Sequence, residues 1–220
     1  MEKRDDEHYV SALRFDWLTP FYDLIVGLTT REKVFKKDLI KRSKFKPNHN
    51  VLDLACGTGT MTVWIKQSEP GVKVVGVDGD DKILKIARSK ASTEKLDIQF
   101  KKAMSYELPY ENSSFDRVVS SLFFHHLVWT NKEKTAKEIY RILKPGSELH
   151  VADWGKSKNI LMRILFFFLQ IFDGFENTQD NVEGKLETLF KEAGFVDVKE
   201  DASYSTMFGT MSIYSCKKPN

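Results

Sequence analysis

Cysteine is scarce: Cys56 and Cys216 are the only two in 220 residues. They stand far apart and neither belongs to a CxxC pair, which argues against both a zinc site and a disulfide framework. A surplus of one charge is missing too. Lys and Arg number 34 against 31 Asp and Glu, and a net charge of +3 is too mild to argue for a nucleic-acid partner. No apolar run is long enough to cross a bilayer; the longest, Ile160 to Phe172, is interrupted by Arg163 and Gln170. The opening Met1-Glu2-Lys3-Arg4-Asp5-Asp6-Glu7 carries mixed charges with no apolar stretch behind it, so no signal peptide is read there. Internal repeats, low-complexity tracts and linkers are absent. What remains is an ordinary globular composition, 41% hydrophobic and 30% charged. The expectation is one domain in a cytoplasmic, reducing setting, with no metal.

The chain begins with helical spacing from Tyr9 to Lys44, interrupted by a turn ending at Pro20 and a break near Gly27 to Thr30. Within it, Glu32 to Lys44 reads as an amphipathic helix whose Val34, Phe35, Leu39 and Ile40 face inward and whose lysines form a wet surface. From Val51 strands and helices alternate. Strands are expected at Val51–Leu54, Val72–Val77, Ile98–Lys101, Phe115–Ser121 and Glu148–Ala152. Helices are expected at Thr60–Ser68, Asp80–Ser89 and Asn131–Leu143, the last stopped by Lys144-Pro145-Gly146. Such alternation implies a parallel sheet with helices on both faces. The last third differs. Ile160–Phe172 and Val182–Ala193 read as helices, the second ended by Gly194. Phe195–Glu200 and Met207–Cys216 then read as an antiparallel hairpin at the sheet edge, with Gly209 as a bulge.

The most informative stretch is Val51-Leu52-Asp53-Leu54-Ala55-Cys56-Gly57-Thr58-Gly59-Thr60. A buried strand runs into a glycine turn that opens a helix, so main chain and free helix N–H groups face a common space. A dinucleotide fingerprint needs a third glycine, and Thr62 stands where it would sit. A phosphate-binding loop needs Gly-Lys-Ser/Thr, and no such lysine is present. Asp53 decides further: a carboxylate there repels a pyrophosphate and suits a cationic ligand. S-adenosylmethionine carries both a sulfonium and an ammonium. Asp78, about 20 residues past the glycines, is placed to accept the two ribose hydroxyls. Its other reading is a helix N-cap. Cys56 reads as a small packed residue within the turn.

These motifs resemble the class I S-adenosylmethionine-dependent methyltransferases, in particular the branch with the ubiquinone/menaquinone-type C-methyltransferases. Asp53 to Gly59 is similar to that family's first motif, and Val75-Gly76-Val77-Asp78 to its second. Leu108-Pro109-Tyr110, then Ser113-Ser114-Phe115-Asp116-Arg117-Val118-Val119, resembles its loop and fourth strand. Arg141-Ile142-Leu143-Lys144-Pro145-Gly146 and Ala152-Asp153-Trp154 resemble the stretch around the fifth, and Phe21-Tyr22-Asp23 the Tyr-Asp ahead of the core. The likeness is close over about residues 15–155. It implies a Rossmann-like α/β fold, a seven-stranded mostly parallel sheet with helices on both faces and an antiparallel C-terminal hairpin strand. A helical cap (1–45), a cofactor-binding core (46–155), a helical lid or acceptor region (156–194) and the hairpin (195–220) follow from it. The family often has Gly-Asp-Ala where this chain has Ala103-Met104-Ser105. Met104 can still pack on the adenine face, and the Met104–Ser105 backbone can read its edge.

The residues expected at the cofactor are therefore Asp53, Ala55, Cys56, Gly57, Thr58, Gly59, Asp78, Gly79, Met104 and Ser105. Ser120, Ser121 and Leu122 are expected along the methionine tail, and the resemblance implies Tyr22 at its carboxylate. Methyl transfer from a sulfonium is an in-line displacement, for which the protein mainly supplies approach geometry. A carbon acceptor also needs an acidic neighbouring hydroxyl and a base. His125 and His126, just past strand four, and Asp153, past strand five, are the candidate catalytic groups. Their other readings are packing, surface and capping roles. Ile160–Phe172 reads as a core helix, a greasy lid over the acceptor, or an interfacial helix making peripheral membrane contact. The last two favour a small, apolar acceptor. No nucleic-acid partner is expected, since Ser120-Ser121-Leu122-Phe123 lacks a Pro-Pro-Tyr type motif. An RNA or protein methyltransferase, a nicotinamide oxidoreductase and a non-catalytic S-adenosylmethionine-binding module are the alternatives.

Overall fold

The computed structural model describes residues 31–220, except for the side chains at 168, 169, 172, 173, 175 and 176. The expectations for Tyr9 to Thr30, Tyr22 among them, lie outside the described residues. Helix α1 (Glu32–Ser43) leads into β1 (Asn50–Leu54), α2 (Thr60–Ser68), β2 (Lys73–Asp78), α3 (Asp81–Thr93), β3 (Gln99–Lys102) and β4 (Phe115–Ser121). After a 3-10 turn at Phe124–His126 come α4 (Trp129–Ile142), β5 (Leu143–Trp154), α5 (Ile160–Asp173), α6 (Phe175–Val182), α7 (Leu186–Glu192), β6 (Val196–Thr206) and β7 (Gly209–Lys217). The strands form one seven-stranded sheet in the order β3-β2-β1-β4-β5-β7-β6. β1 to β5 are parallel to one another, and β7 pairs antiparallel with β5 and β6.

The order reverses between β1 and its neighbour β4. Open α/β sheets bind ligands in the crevice at the carboxyl ends of the strands flanking such a point. Two apolar layers hold the sheet. On one face Phe35 and Leu39 of α1, Met61 and Ile65 of α2 and Phe166 of α5 pack with Val119, Ala152 and Ile213. On the other, Ile139 of α4 and Leu189 and Phe190 of α7 pack with Val118, Leu149 and Tyr214. The split follows from strand geometry, which sends successive side chains to opposite faces.

Five sequence expectations change. The helix expected at Asp80–Ser89 reaches Thr93, with Asp80 as its N-cap accepting from the Lys82 N–H at 2.8 Å. β5 starts at Leu143, directly on the end of α4, and passes through Pro145-Gly146 rather than waiting for Glu148. Val182–Ala193 is not one helix. Gly184, at φ 77°, separates α6 from α7 in the left-handed region that suits glycine. The C-terminal hairpin forms the sheet edge as expected, with β7 beside β5 and β6 outermost, but its first strand, expected at Phe195–Glu200, runs on to Thr206. The charges explain why β6 is outermost, because β6 carries Asp197, Lys199, Glu200 and Asp201 whereas β7 is buried along nearly its whole length. Finally, the irregularities sit in β6, between Val196 and Lys199 and between Glu200 and Ala202, not at Gly209. Gly209 pairs with Thr206 across the hairpin turn, and a Cβ on it would stand 2.9 Å from the Phe166 ring.

Helix α5 is two-sided. Asn159 caps it, accepting from the Met162 N–H at 2.9 Å. Met162, Phe166 and Gln170 are buried, while Ile160, Leu161, Ile164, Phe167 and Ile171 are exposed. That outer face removes the reading of a core helix buried all round. Among the described residues no helix is long and apolar enough to cross a membrane.

Candidate functional site

The glycine turn is built from left-handed residues: Ala55 at φ 56°, Gly57 at φ 54° and Gly59 at φ 76°. The Cys56 N–H donates to the Val77 carbonyl at 2.9 Å, which ties the turn to β2. The two glycines do different work. A Cβ on Gly57 would meet nothing within 4 Å, so its open side is where a ligand can approach main chain. A Cβ on Gly59 would stand 2.8 Å from the Ala87 Cβ, so this glycine lets α2 and α3 close. Gly76 is tight as well, since its Cβ would fall 2.6 Å from Phe100 and 2.9 Å from the Cys56 Sγ. Cys56 is accordingly a packed residue. The close packing that a third glycine provides in dinucleotide folds is met here by Gly59 and Gly76.

Thr62 has a role the sequence reading missed. Its hydroxyl donates to Asp53 Oδ2 at 2.6 Å. Asp53 is fully buried, and among the described residues its Oδ1 has no hydrogen-bond partner. Burial pushes its pKa up to about 7; the nearby Asp78 adds to this, while the Thr62 hydrogen bond and the Lys36 charge oppose it. A buried acceptor with one idle oxygen suits a cationic group brought by a ligand.

Asp78 closes the next edge. Its Oδ2 accepts from the Gly57 N–H at 2.9 Å and its Oδ1 from the Asp80 N–H at 3.0 Å. Asp80, not Asp78, caps the helix. The carboxylate still has lone pairs for a ribose diol, and it also fixes the glycine turn. Burial raises its pKa despite these hydrogen bonds. The Ala103 N–H donates to the Asp78 carbonyl at 3.1 Å, bringing the Met104 loop alongside. Met104 is half-buried. The Ser105 hydroxyl is committed to Thr135 of α4 at 2.7 Å, which leaves the Ser105 backbone for reading a ligand.

At the end of β4 the Ser120 hydroxyl donates to the Leu54 carbonyl at 2.9 Å, so it joins two strands rather than facing a ligand. Ser121 and Leu122 remain half-buried beside it, with Leu122 at φ 55° and its N–H on the Ala152 carbonyl at 2.8 Å. Ser121, Leu122 and the turn Phe124–His126 therefore gather with Asp53, Gly57, Asp78 and Met104 at the carboxyl end of the sheet.

Asp153 is the hub of the second half of the site. It is fully buried. Its Oδ2 accepts from the Phe123 N–H (3.1 Å) and the Phe124 N–H (2.7 Å). Its Oδ1 accepts from the Trp154 N–H (2.7 Å) and the Asn181 amide (3.4 Å), and lies 2.7 Å from His125 Nδ1. Although burial alone would raise its pKa, His125 and the donated hydrogen bonds hold it below the ordinary carboxylate value. Such a carboxylate is a poor proton acceptor, so the candidate base narrows to the histidines and Asp153 becomes their positioning residue. Because an ionised Asp153 can only accept, the proton between the two lies on His125 Nδ1, which donates to Asp153. The His126 ring lies against His125 with centroids 4.0 Å apart and planes tilted by 42°. Burial first, and the neighbouring His125 second, push the His126 pKa down to about 3. His126 stays neutral across the physiological range.

Two further residues support this hub. Lys132 of α4 is completely buried; its Nζ donates to the Asn177 carbonyl (2.7 Å) and the Asn181 Oδ1 (3.0 Å) and lies 3.5 Å from Asp180. Asn181 in turn donates to the Trp154 carbonyl at 3.0 Å. Helix α6 is thereby bolted over β5 and the histidines. The signal was present in the sequence: Lys132 occupies the same helical stripe as the buried Thr135, Ala136, Ile139 and Ile142. An aromatic contact runs outward from the hub. The Trp154 ring lies 6.3 Å from His125 and 5.6 Å from Phe166, edge-on to both. The inner face of α5 thus reaches the site through Trp154.

Comparison with known proteins agrees with this geometry. A family model described as a methyltransferase domain matches residues 51–146. A demethylmenaquinone methyltransferase of Symbiobacterium thermophilum is 29% identical, over 96% of this chain and 92% of the relative. Its counterpart from Thermus thermophilus is 32% identical, with 64% of each chain aligned. Among solved structures, a phosphoethanolamine N-methyltransferase of Haemonchus contortus, in complex with S-adenosylhomocysteine, superposes with a TM-score of 0.70 at 20% identity. That match covers 84% of this chain and 52% of the other, and it speaks for the fold.

Proposed function

The chain is a class I S-adenosylmethionine-dependent methyltransferase resembling the ubiquinone/menaquinone branch, and from that premise we propose that it methylates a carbon of a small, apolar quinol-type acceptor in the cytoplasm. The carrying observation is the contiguous line from Phe166 of α5 through Trp154 to the His125–Asp153 pair. It joins an apolar approach to a base. The relatives' names point the same way, since demethylmenaquinone is the acceptor they state. In this reading the turn at Gly57 receives the cofactor, Asp53 takes its cationic end and Asp78 its ribose. When bound, S-adenosylmethionine supplies an electrophilic methyl on a sulfonium.

The protein's own residues do the rest. Asp153 holds the Nδ1 proton of His125 and so fixes the ring's tautomer and orientation. His125 Nε2 accepts the proton of an acceptor hydroxyl, which makes the adjacent ring carbon nucleophilic. His126, neutral and tilted against it, adds no competing charge. Trp154 and Phe166, buried behind His125, keep water from that side of the pair, and positioning of the acceptor over it is worth roughly 7–11 kcal/mol. Helix α5 serves as the apolar entry, and its outer face gives a lipid contact.

An acceptor screen read by S-adenosylhomocysteine release tests the reading, with quinols, phenols, amines, thiols and lipid headgroups compared. Turnover is expected on the quinol, with methylation at carbon identified by mass spectrometry. Turnover on amines or thiols with none on quinols overturns it, and preference for RNA or a peptide selects the corresponding alternative.

A further inference from the structure

We propose that the outer surface of the α1–α5 layer docks on an anionic lipid bilayer, α1 supplying a cationic stripe and α5 an apolar one. The inference deepens the lipid contact given to α5 above and rests on that reading. Helical geometry sets the orientation. In α1, Phe35 and Leu39 are fully buried against the sheet. Lys33, Lys37 and Lys41 are exposed. At about 100° per residue they fall roughly opposite Phe35 and Leu39, pointing straight away from the sheet. Lys44, exposed at the end of the helix, extends the row. The two carboxylates of the helix do not oppose it, because Glu32 is paired with Lys36 and Asp38 with Arg42.

In α5 the same arithmetic applies. Met162 and Phe166 face in, and Ile160, Ile164 and Ile171 fall roughly opposite them. These residues are 81%, 51% and 56% exposed, with Leu161 at 59% beside them. Phe35, Leu39 and Phe166 belong to one apolar layer on one side of the sheet, so both outward stripes belong to the same side of the molecule. Met207, 63% exposed at the β6–β7 turn, sits next to Gly209, which packs on Phe166. A 14-residue helix lying flat is about 21 Å long. That is the form of an interfacial helix, and binding strength at such a surface combines buried apolar area with attraction between basic residues and anionic lipid. Charge selects the occupant. A second protein copy carries the same lysines and would repel them, and a neutral apolar partner gives the lysine row no counterpart. Lys156, exposed just ahead of α5, is cationic as well, while Lys158 is paired with Glu200.

The test is co-sedimentation of the full chain with vesicles of phosphatidylcholine alone or containing roughly a third phosphatidylglycerol. Binding is expected to the anionic vesicles and to fall with added salt. Combined substitution Lys33→Glu, Lys37→Glu and Lys41→Glu should weaken partitioning by roughly fivefold or more per lysine, as ~1 kcal/mol per basic residue at an anionic surface implies. Ile164→Glu with Ile171→Glu should abolish it. Both variants should keep wild-type turnover on a short-chain, water-soluble quinol, which separates failed docking from failure of the acceptor reading. Equal binding to both vesicle types overturns the proposal, as does anionic binding that neither variant reduces. RNA binding as strong as vesicle binding, unchanged by the isoleucine substitutions, would make the row a general polyanion site. A concentration-dependent dimer lost in the isoleucine variant, without vesicle binding, would make the face a self-contact.

Discussion

Asp53→Asn should stabilise the ligand-free protein at alkaline pH while weakening cofactor binding. Asp53 is fully buried, and burial lifts its pKa from 3.8 to about 7. Between those values the folded state holds a proton that the unfolded chain has released. Stability therefore falls as pH rises from about 4 to about 7, at about 1.4 kcal/mol per pH unit, and is flat above. By pH 7 the ionised carboxylate costs roughly 4 kcal/mol. Asparagine removes that slope and can still accept from Thr62 at the Oδ2 position. Its amide nitrogen then lies where Oδ1 has no partner, a loss of about 1–2 kcal/mol. The variant should match wild type near pH 5 and exceed it by roughly 2–3 kcal/mol at pH 8. For a chain of this size that is about 5–10 °C in Tm. Thermal unfolding between pH 5 and 8 reads the difference, and subtracting the two profiles removes every other titrating group. In the same variant, S-adenosylhomocysteine affinity should fall about 10-fold or more, the value of a charge-assisted hydrogen bond. Parallel pH profiles would show that Asp53 ionises normally, and unchanged affinity would show that its idle oxygen does not face the cofactor.

The two turn glycines should separate in their behaviour. Gly57→Ala meets only backbone strain, about 1–2 kcal/mol, and should fold while losing cofactor affinity in calorimetry. Gly59→Ala adds a 2.8 Å clash with Ala87 to its strain and should lower Tm well beyond that; equal Tm losses would contradict the division of labour. The histidines should differ as well. His125→Ala should cut turnover at least 10-fold by removing the base, whereas His126→Ala should lose less than His125→Ala, and steady-state kinetics with a quinol decides between them.

Much of this molecule is legible from local pattern. The strand–turn–helix at Asp53 to Gly59, the position of Asp78 and the alternation from Val51 to Ala152 all depend on contacts close in sequence. The third-glycine position shows the limit of that reading. Thr62 marked a departure from the dinucleotide pattern, yet its bond to Asp53 appears only when the first turn of α2 folds back on β1. Asp153 is a second case. As a carboxylate past a strand end it resembled a base, but the Phe123–His125 turn and Asn181 of α6 converge on it, and His125 with the Trp154 N–H depresses its pKa. Lys132 shows a third kind, a charge on an apolar stripe whose partners lie 45 and 49 residues away.

By itself the sequence determined the order of strands and helices, and it pointed to a cationic ligand at the turn and to the carboxyl end of the sheet as the candidate site. Periodicity and turn residues act locally, so these needed no partner elsewhere in the chain. Tertiary structure alone set the surroundings of the three catalytic candidates, because pKa depends on burial and on donors from distant segments: Asp153 is held low by His125 and donated hydrogen bonds, and His126 by burial. It also decided the fate of Ile160–Phe172. Composition made that helix apolar nearly all round. Packing of Met162 and Phe166 against the sheet divided it into an inner face, joined to His125 through Trp154, and an outer one left to solvent.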